Sequence, residues 1–186
     1  MITIREILFK AKLKDWKTNP QQNKWIEGYY LSRKETTYCF TEDYERNPVK
    51  TLHYIAVDSM TDWGLPNEFR LYEIDPYTLC EFTSIHDNNN SKIFENDIVK
   101  TKEYSDKPYS KTRKTKRHVG IVEYQIGAGK VFYNDETEKF DKYREYEAEW
   151  VVNVEDYGKY RYSDWGDFFD CEVIGNKFDN PELIEG

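Results

Sequence analysis

Apolar and polar positions alternate with period two in segment after segment of this chain, and that rhythm predicts strands. From Ile4 to Leu13, Arg5, Ile7, Phe9 and Ala11 fall on one side and Glu6, Leu8, Lys10 and Lys12 on the other. KWIEGYYLS (24–32) resumes the pattern after the turn chemistry of Asn19-Pro20, so the start reads as a hairpin. TTYCF (36–40) and VKTLHYIAV (49–57) predict two more strands, separated by the polar TEDYERNP. In the second of these, Val49, Thr51, His53, Ile55 and Val57 share a face. EFRLYEI (68–74) predicts a further strand, closed by Asp75-Pro76.

In the second half, FENDIVK leads into a strand of Ile98 and Val99. HVGIVEYQI puts Val122, Tyr124 and Ile126 on one face, GAGK (127–130) turns the chain, and VFY follows. EAEWVVNVEDY sets Ala148, Trp150, Val152 and Val154 against Glu149, Val151, Asn153 and Glu155. CEVIGNKF closes the series, with Asn180-Pro181 as the cap and first position of a last helical turn. Within 134–147, Phe140, Tyr143 and Tyr146 recur every three positions among charges, which predicts a short helix. The fold class is therefore mainly β with minor α. Short strands at close spacing with Gly, Pro and Asn turns indicate a small barrel or folded sheet. Trp25, Tyr124, Trp150, Val152, Val154 and Ile174 are the expected core.

Composition adds limits. Aromatics make up 17% of 186 residues, too many for a disordered chain. Charged residues are 33% and mean hydropathy is -0.92. No apolar run approaches the ~18 residues of a membrane helix, and MITIREILFKAK carries charge where a signal peptide would be apolar. The expectation is a soluble protein of the cytoplasm with no membrane partner. Cys39, Cys80 and Cys171 lie far apart with no CxxC, so reduced core thiols are expected. Net charge is -8, but DKPYSKTRKTKRH (106–118) contains Lys107, Lys111, Arg113, Lys114, Lys116 and Arg117; without these six the rest stands at -14. This is an acidic body with one basic segment.

Four landmarks together resemble the YopX family of phage and prophage proteins. REILFKAK followed by KWIEGYY resembles its opening hairpin. IDPYTLCEFT and SIHDNNNSKIFENDIVK resemble its central signature, an Asp/Asn-rich turn before an acidic turn and a strand. HVGIVEY resembles the strand that pairs next, and CEVIGNKFDNPELIE the closing segment. The resemblance implies an N-terminal antiparallel β region followed, after the Asp/Asn-rich turn, by a small SH3-like barrel. It also implies a phage or prophage origin in a bacterium, and no catalytic residues. The chain departs from the pattern at Asn96, where the family usually carries glycine, and in the long basic segment between Val99 and Val119. Two regions are expected, 1–84 and 85–186, the second carrying the basic loop 101–118.

Candidate chemistry is sparse. Glu95, Asn96 and Asp97 could hold a metal or form a tight turn. A Gly-or-Asn position between two acids reads as a backbone that needs positive φ, and calcium-loop spacing is absent, so the turn is preferred. The acids are then expected to be solvated or bonded to nearby N–H groups. His53, His86 and His118 lie in separate segments without zinc spacing, and His53 reads as a packed residue. GAGK lacks the spacing of a phosphate loop and the helix after it. No cofactor, metal or catalytic group is expected. Two binding roles remain: a non-catalytic protein that binds a host or phage partner and interferes with host defence, or a nucleic-acid accessory protein acting through 107–117. In the second, Tyr104 and Tyr109 would stack on bases. A homo-oligomer is compatible with either.

Overall fold

The computed structural model describes residues 5–100, 104–105, 115–116, 119–126, 131–134, 139–142, 148–153 and 171–184. The chain divides into two compact units, Met1–Ser84 and Ile85–Gly186.

The first unit is an antiparallel meander. Strand β1 (Phe9–Lys12) pairs with β2 (Trp25–Lys34), Phe9 opposite Gly28 and Lys12 opposite Trp25. From Tyr29 onward β2 pairs instead with β3 (Thr51–Ser59), and β3 pairs with β4 (Glu68–Glu73) in an unbroken six-residue register. Gly28 stands where β2 passes from one neighbour to the other; a Cβ there would collide with the Ala56 carbonyl oxygen. The ribbon curls until its ends touch at one isolated bridge, Leu13 to Ile74. The concave side holds the core of Ala11, Ile55 and Ile74, with Phe9, Ile26, Tyr30, Val57 and Leu79 packed around it. Strand β5 (Cys80–His86) pairs with the start of β1, Phe9 opposite Glu81, and carries the chain out of this unit.

TTYCF forms no strand. The polar TEDYERNP after it instead supplies the short helix α1 (Thr41–Arg46), with Glu42 and Asp43 in its first turn and Arg46 in its last, as the helix dipole favours. Tyr44 of that helix reaches back: its hydroxyl accepts from the Tyr38 N–H at 2.9 Å and donates to the Tyr38 carbonyl at 3.3 Å. These bonds occupy backbone groups of Tyr38 that a strand would have used.

The second unit centres on β7 (Asp97–Lys100), which follows the short β6 (Lys92–Phe94) across the Glu95-Asn96 turn. A two-residue pair, β8 (Tyr104–Ser105) with β9 (Thr115–Lys116), comes next. Then β10 (Val119–Ile126) pairs with β7, and a hairpin of β11 (Val131–Asn134) with β12 (Lys139–Lys142) follows. Finally β13 (Ala148–Asn153) pairs with β10, and β14 (Glu172–Asn176) with the other side of β7. The order β13-β10-β7-β14 is an open four-stranded sheet among the described residues. The expected barrel is thus not closed there, because β13 and β14 each pair on one side only.

The helix expected over 134–147 is contradicted where the structure describes it: Lys139–Lys142 is strand β12, with Phe140 opposite Tyr133. A three-residue aromatic spacing fits one helical face, but a cross-strand partner seven residues back offered the backbone a ladder instead. Ile93, Val99, Val122, Val152 and Cys171 form the core, joined by Ile85, Trp150 and Val173. Of the expected core, Val152 is buried and Trp25, Trp150 and Ile174 are half-buried. Tyr124 is not buried; it is 48% exposed near the end of β10, its ring resting edge-on against Trp150 at 5.0 Å. Val154 lies outside the described residues. Cys80 and Cys171 are buried, but Cys39 is exposed beside α1 rather than in a core.

Candidate interaction surface

On the convex side of the first unit the strands present a row of apolar side chains to solvent. Residues 29, 56 and 71 stand side by side across β2, β3 and β4. Ala56 is small and buried, and the side chains to either side stay out in water: Tyr29 is 49% exposed and Leu71 is 53%. Leu31 and Phe69, two residues along on the same face, are also exposed, and the rings of Tyr29 and Phe69 meet edge-on at 6.0 Å over the alanine. Tyr54 lies beside them under the Arg33 guanidinium, 5.6 Å from the ring centre. Contiguous exposed apolar side chains of this kind mark contact surfaces on soluble proteins.

At one end of this face the hairpin loop folds over Lys12, a buried lysine that the sequence pattern had placed on a wet side. Its ammonium donates to Asn23 Oδ1 at 2.6 Å and lies 4.9 Å from the Trp25 ring and 5.3 Å from that of Trp16. The loop is held in turn by Trp16, whose indole N–H donates to Asp75 Oδ2 at 3.0 Å. The two tryptophans are the signal that could have shown the site, since indole faces attract a cation and offset part of the cost of taking it out of water.

In the second unit the acids of the central signature have structural work. Asn96 has φ 64, as the Gly-or-Asn reading required. Its N–H donates to the Val122 carbonyl at 2.8 Å, and its carbonyl accepts from the Lys177 N–H at 3.1 Å. Asp97 is 1% exposed. One of its oxygens accepts from the Phe94 N–H at 2.8 Å and the other from the Asn176 carboxamide at 2.9 Å. Asn176 Oδ1 then accepts from the Phe178 N–H at 3.0 Å.

Asp87 repeats the arrangement ten residues earlier. Its Oδ1 accepts from the N–H groups of Asn89 and Ser91, both at 2.8 Å, and its Oδ2 from that of Val173 at 3.0 Å. Burial alone would push this carboxyl up; the three backbone donors, helped by nearby His86, outweigh it and hold the group below the usual carboxylate range. Between these two carboxylates β14 carries a bulge at Val173–Gly175, and a Cβ on Gly175 would press on Asn180 and Leu183.

Among the described residues no cluster of three or more His, Cys, Asp or Glu side chains could hold a metal ion. His53 is half-buried; its Nδ1 lies 2.7 Å from the Tyr30 hydroxyl and its ring stacks on that tyrosine. His86 is exposed. Of the basic residues singled out, Lys116 belongs to β9, while Lys107, Lys111, Arg113, Lys114 and Arg117 lie outside the described residues, as do His118 and Tyr109. No described helix is long and apolar enough to cross a membrane.

An antiparallel β protein of two units, its second unit tied together by the Asp/Asn-rich turn, the acidic corner and the closing segment, is the class that these features define. The chain matches the YopX protein family over residues 16–185 and belongs to that family. The match begins after β1, so REILFKAK lies before it, while the central and closing landmarks lie within it. No curated protein matches the chain.

Proposed function

We propose that this YopX-family chain is a non-catalytic accessory protein of phage or prophage origin that acts in the bacterial cytoplasm by binding a host or phage protein, with interference in host defence as its setting. The observation that carries this reading is the convex apolar face of the first unit, where Tyr29, Leu31, Phe69 and Leu71 remain in water. Its occupant is a protein surface with an apolar patch. Burying these four side chains would supply a driving force of several kcal/mol at ~25 cal/mol per Å² before association costs. Asp97, one of the two acids weighed as metal ligands, is instead engaged by N–H donors within the unit, as is Asp87 of the preceding turn.

The test compares retention of partners from infected-cell lysate by three full-length proteins: wild type, Tyr29→Ser/Leu31→Lys, and a variant with Lys111, Arg113, Lys114, Lys116 and Arg117 changed to Ser. The expected result is one protein retained at high salt by the wild type and by the serine variant, and lost from the β2 variant. Nucleic acid retained at low salt only, and lost from the serine variant, would overturn this reading in favour of the basic segment, because phosphate contacts weaken steeply with salt.

A further inference from the structure

We propose that β4 is a self-pairing edge through which two copies of this chain join into one continuous antiparallel sheet. Among the described residues β4 pairs only with β3. In an antiparallel ladder, alternate residues turn their backbone groups toward the neighbour and away from it. The Ile74 N–H donates to the His53 carbonyl at 3.0 Å, so Ile74, Tyr72, Arg70 and Glu68 face β3 and Glu73, Leu71 and Phe69 face outward. The Glu73 carbonyl confirms the phase: it points away from β3 and accepts from the Lys14 N–H at 3.1 Å. Phe69 and Leu71 therefore direct their N–H and C=O groups at solvent. Natural edges are commonly blunted by proline, a bulge or very short length. This one has six residues, no proline and no register shift.

The sequence of β4 selects a second copy as the occupant. Paired antiparallel about a two-fold at Phe69, Glu68 of one copy stands opposite Arg70 of the other, twice, and Phe69 meets Phe69. Centring on Arg70 would set two guanidiniums against each other. Centring on Leu71 would set Phe69 against Glu73. Charge complementarity thus favours the first register, since opposite charges across a ladder stabilise and like charges repel. Arg70 and Glu68 are both exposed, and neither makes an ion pair among the described residues. The pairing is isologous, as a two-fold requires. It stands apart from the proposed partner binding, although it would join the convex faces of two copies edge to edge.

The test is the mass of the full chain by sedimentation equilibrium, from micromolar to near-millimolar concentration, with no partner present. The mass is expected to rise from 22.4 kDa toward twice that value. Arg70→Glu should weaken association by about tenfold or more, and Glu68→Arg/Arg70→Glu should restore it, because the swap recreates both cross-strand pairs. Hydrogen exchange should show protection of the Phe69 and Leu71 amides growing with concentration while that of Arg70 does not change. A wild type that stays at 22.4 kDa throughout overturns the proposal. So does association insensitive to both variants, or a dimer that leaves the Phe69 and Leu71 amides unprotected.

Discussion

The first unit and the second are built from the same kind of strand, but they are held together differently. The first curls a meander around Ala11, Ile55 and Ile74 and leaves a second apolar face in water. The second has its own apolar core but adds buried polar ties, Asp87 to Val173 and Asp97 to Asn176, that fasten its closing strand to turns far back in the chain. Apolar packing tolerates adjustment, because its strength follows area and its contacts have little direction. A buried carboxylate does not, because each donor that loses it is left without a partner away from water. Under the proposed function, interaction falls to the first unit, while the buried ties of the second serve its architecture.

The most severe break in this contrast should come from Asp97→Ala. It strands the Phe94 N–H and the Asn176 carboxamide, at about 2 kcal/mol each for buried donors, and so destabilises the second unit by roughly 4 kcal/mol. Hydrogen exchange should show β7 and β14 losing protection while β2 and β3 keep theirs. Gly28→Ala makes the reciprocal test. Its methyl group meets a backbone carbonyl that cannot swing aside, which should cost the first unit about 2 kcal/mol in urea unfolding and spare the second.

A smaller effect sharpens the comparison through pH. The Asp87 carboxyl titrates lower folded than unfolded, so its contribution is complete above the unfolded value of about 4 and fades as pH falls through the lower folded value. Asp87→Asn should therefore weaken the second unit by about 1 kcal/mol at neutral pH. The gap from wild type should narrow in urea titrations taken down toward pH 2.

Much of the fold was legible because half-buried strands alternate. The strands around Ile55, Phe69 and Val122 stand where the pattern put them, and Asn96, at a position where the resemblance expects glycine, announced its left-handed backbone. Cys80–His86 escaped notice because its burial does not alternate; Phe82 and Thr83 are both inside. TTYCF has strand-like residues, but Tyr44 bonds both backbone groups of Tyr38, a tertiary preference that local propensity does not contain. Phe140 had a helical spacing and a strand's partner. Within the candidate surface, exposure of Tyr29 and Leu31 was hidden by the same alternation that revealed their strand, since both faces of β2 carry apolar residues. The tie between Asp97 and Asn176 spans 79 positions, and nothing near either residue points to the other.

The place of β14 also sets a schedule for synthesis. The ladders among β1, β2, β3 and β4 and the pairing of β1 with β5 can form once residue 84 has cleared the ribosome, since those partners have then been made. Those of the second unit cannot, because β7 receives one flank from residues 172–176 and the Asp87 and Asp97 carboxylates wait for donors in that same stretch. Domains generally fold as they emerge. The nascent chain should thus carry a finished N-terminal half while roughly ninety further residues are added, a window in which a chaperone or a protease meets only the unfinished half.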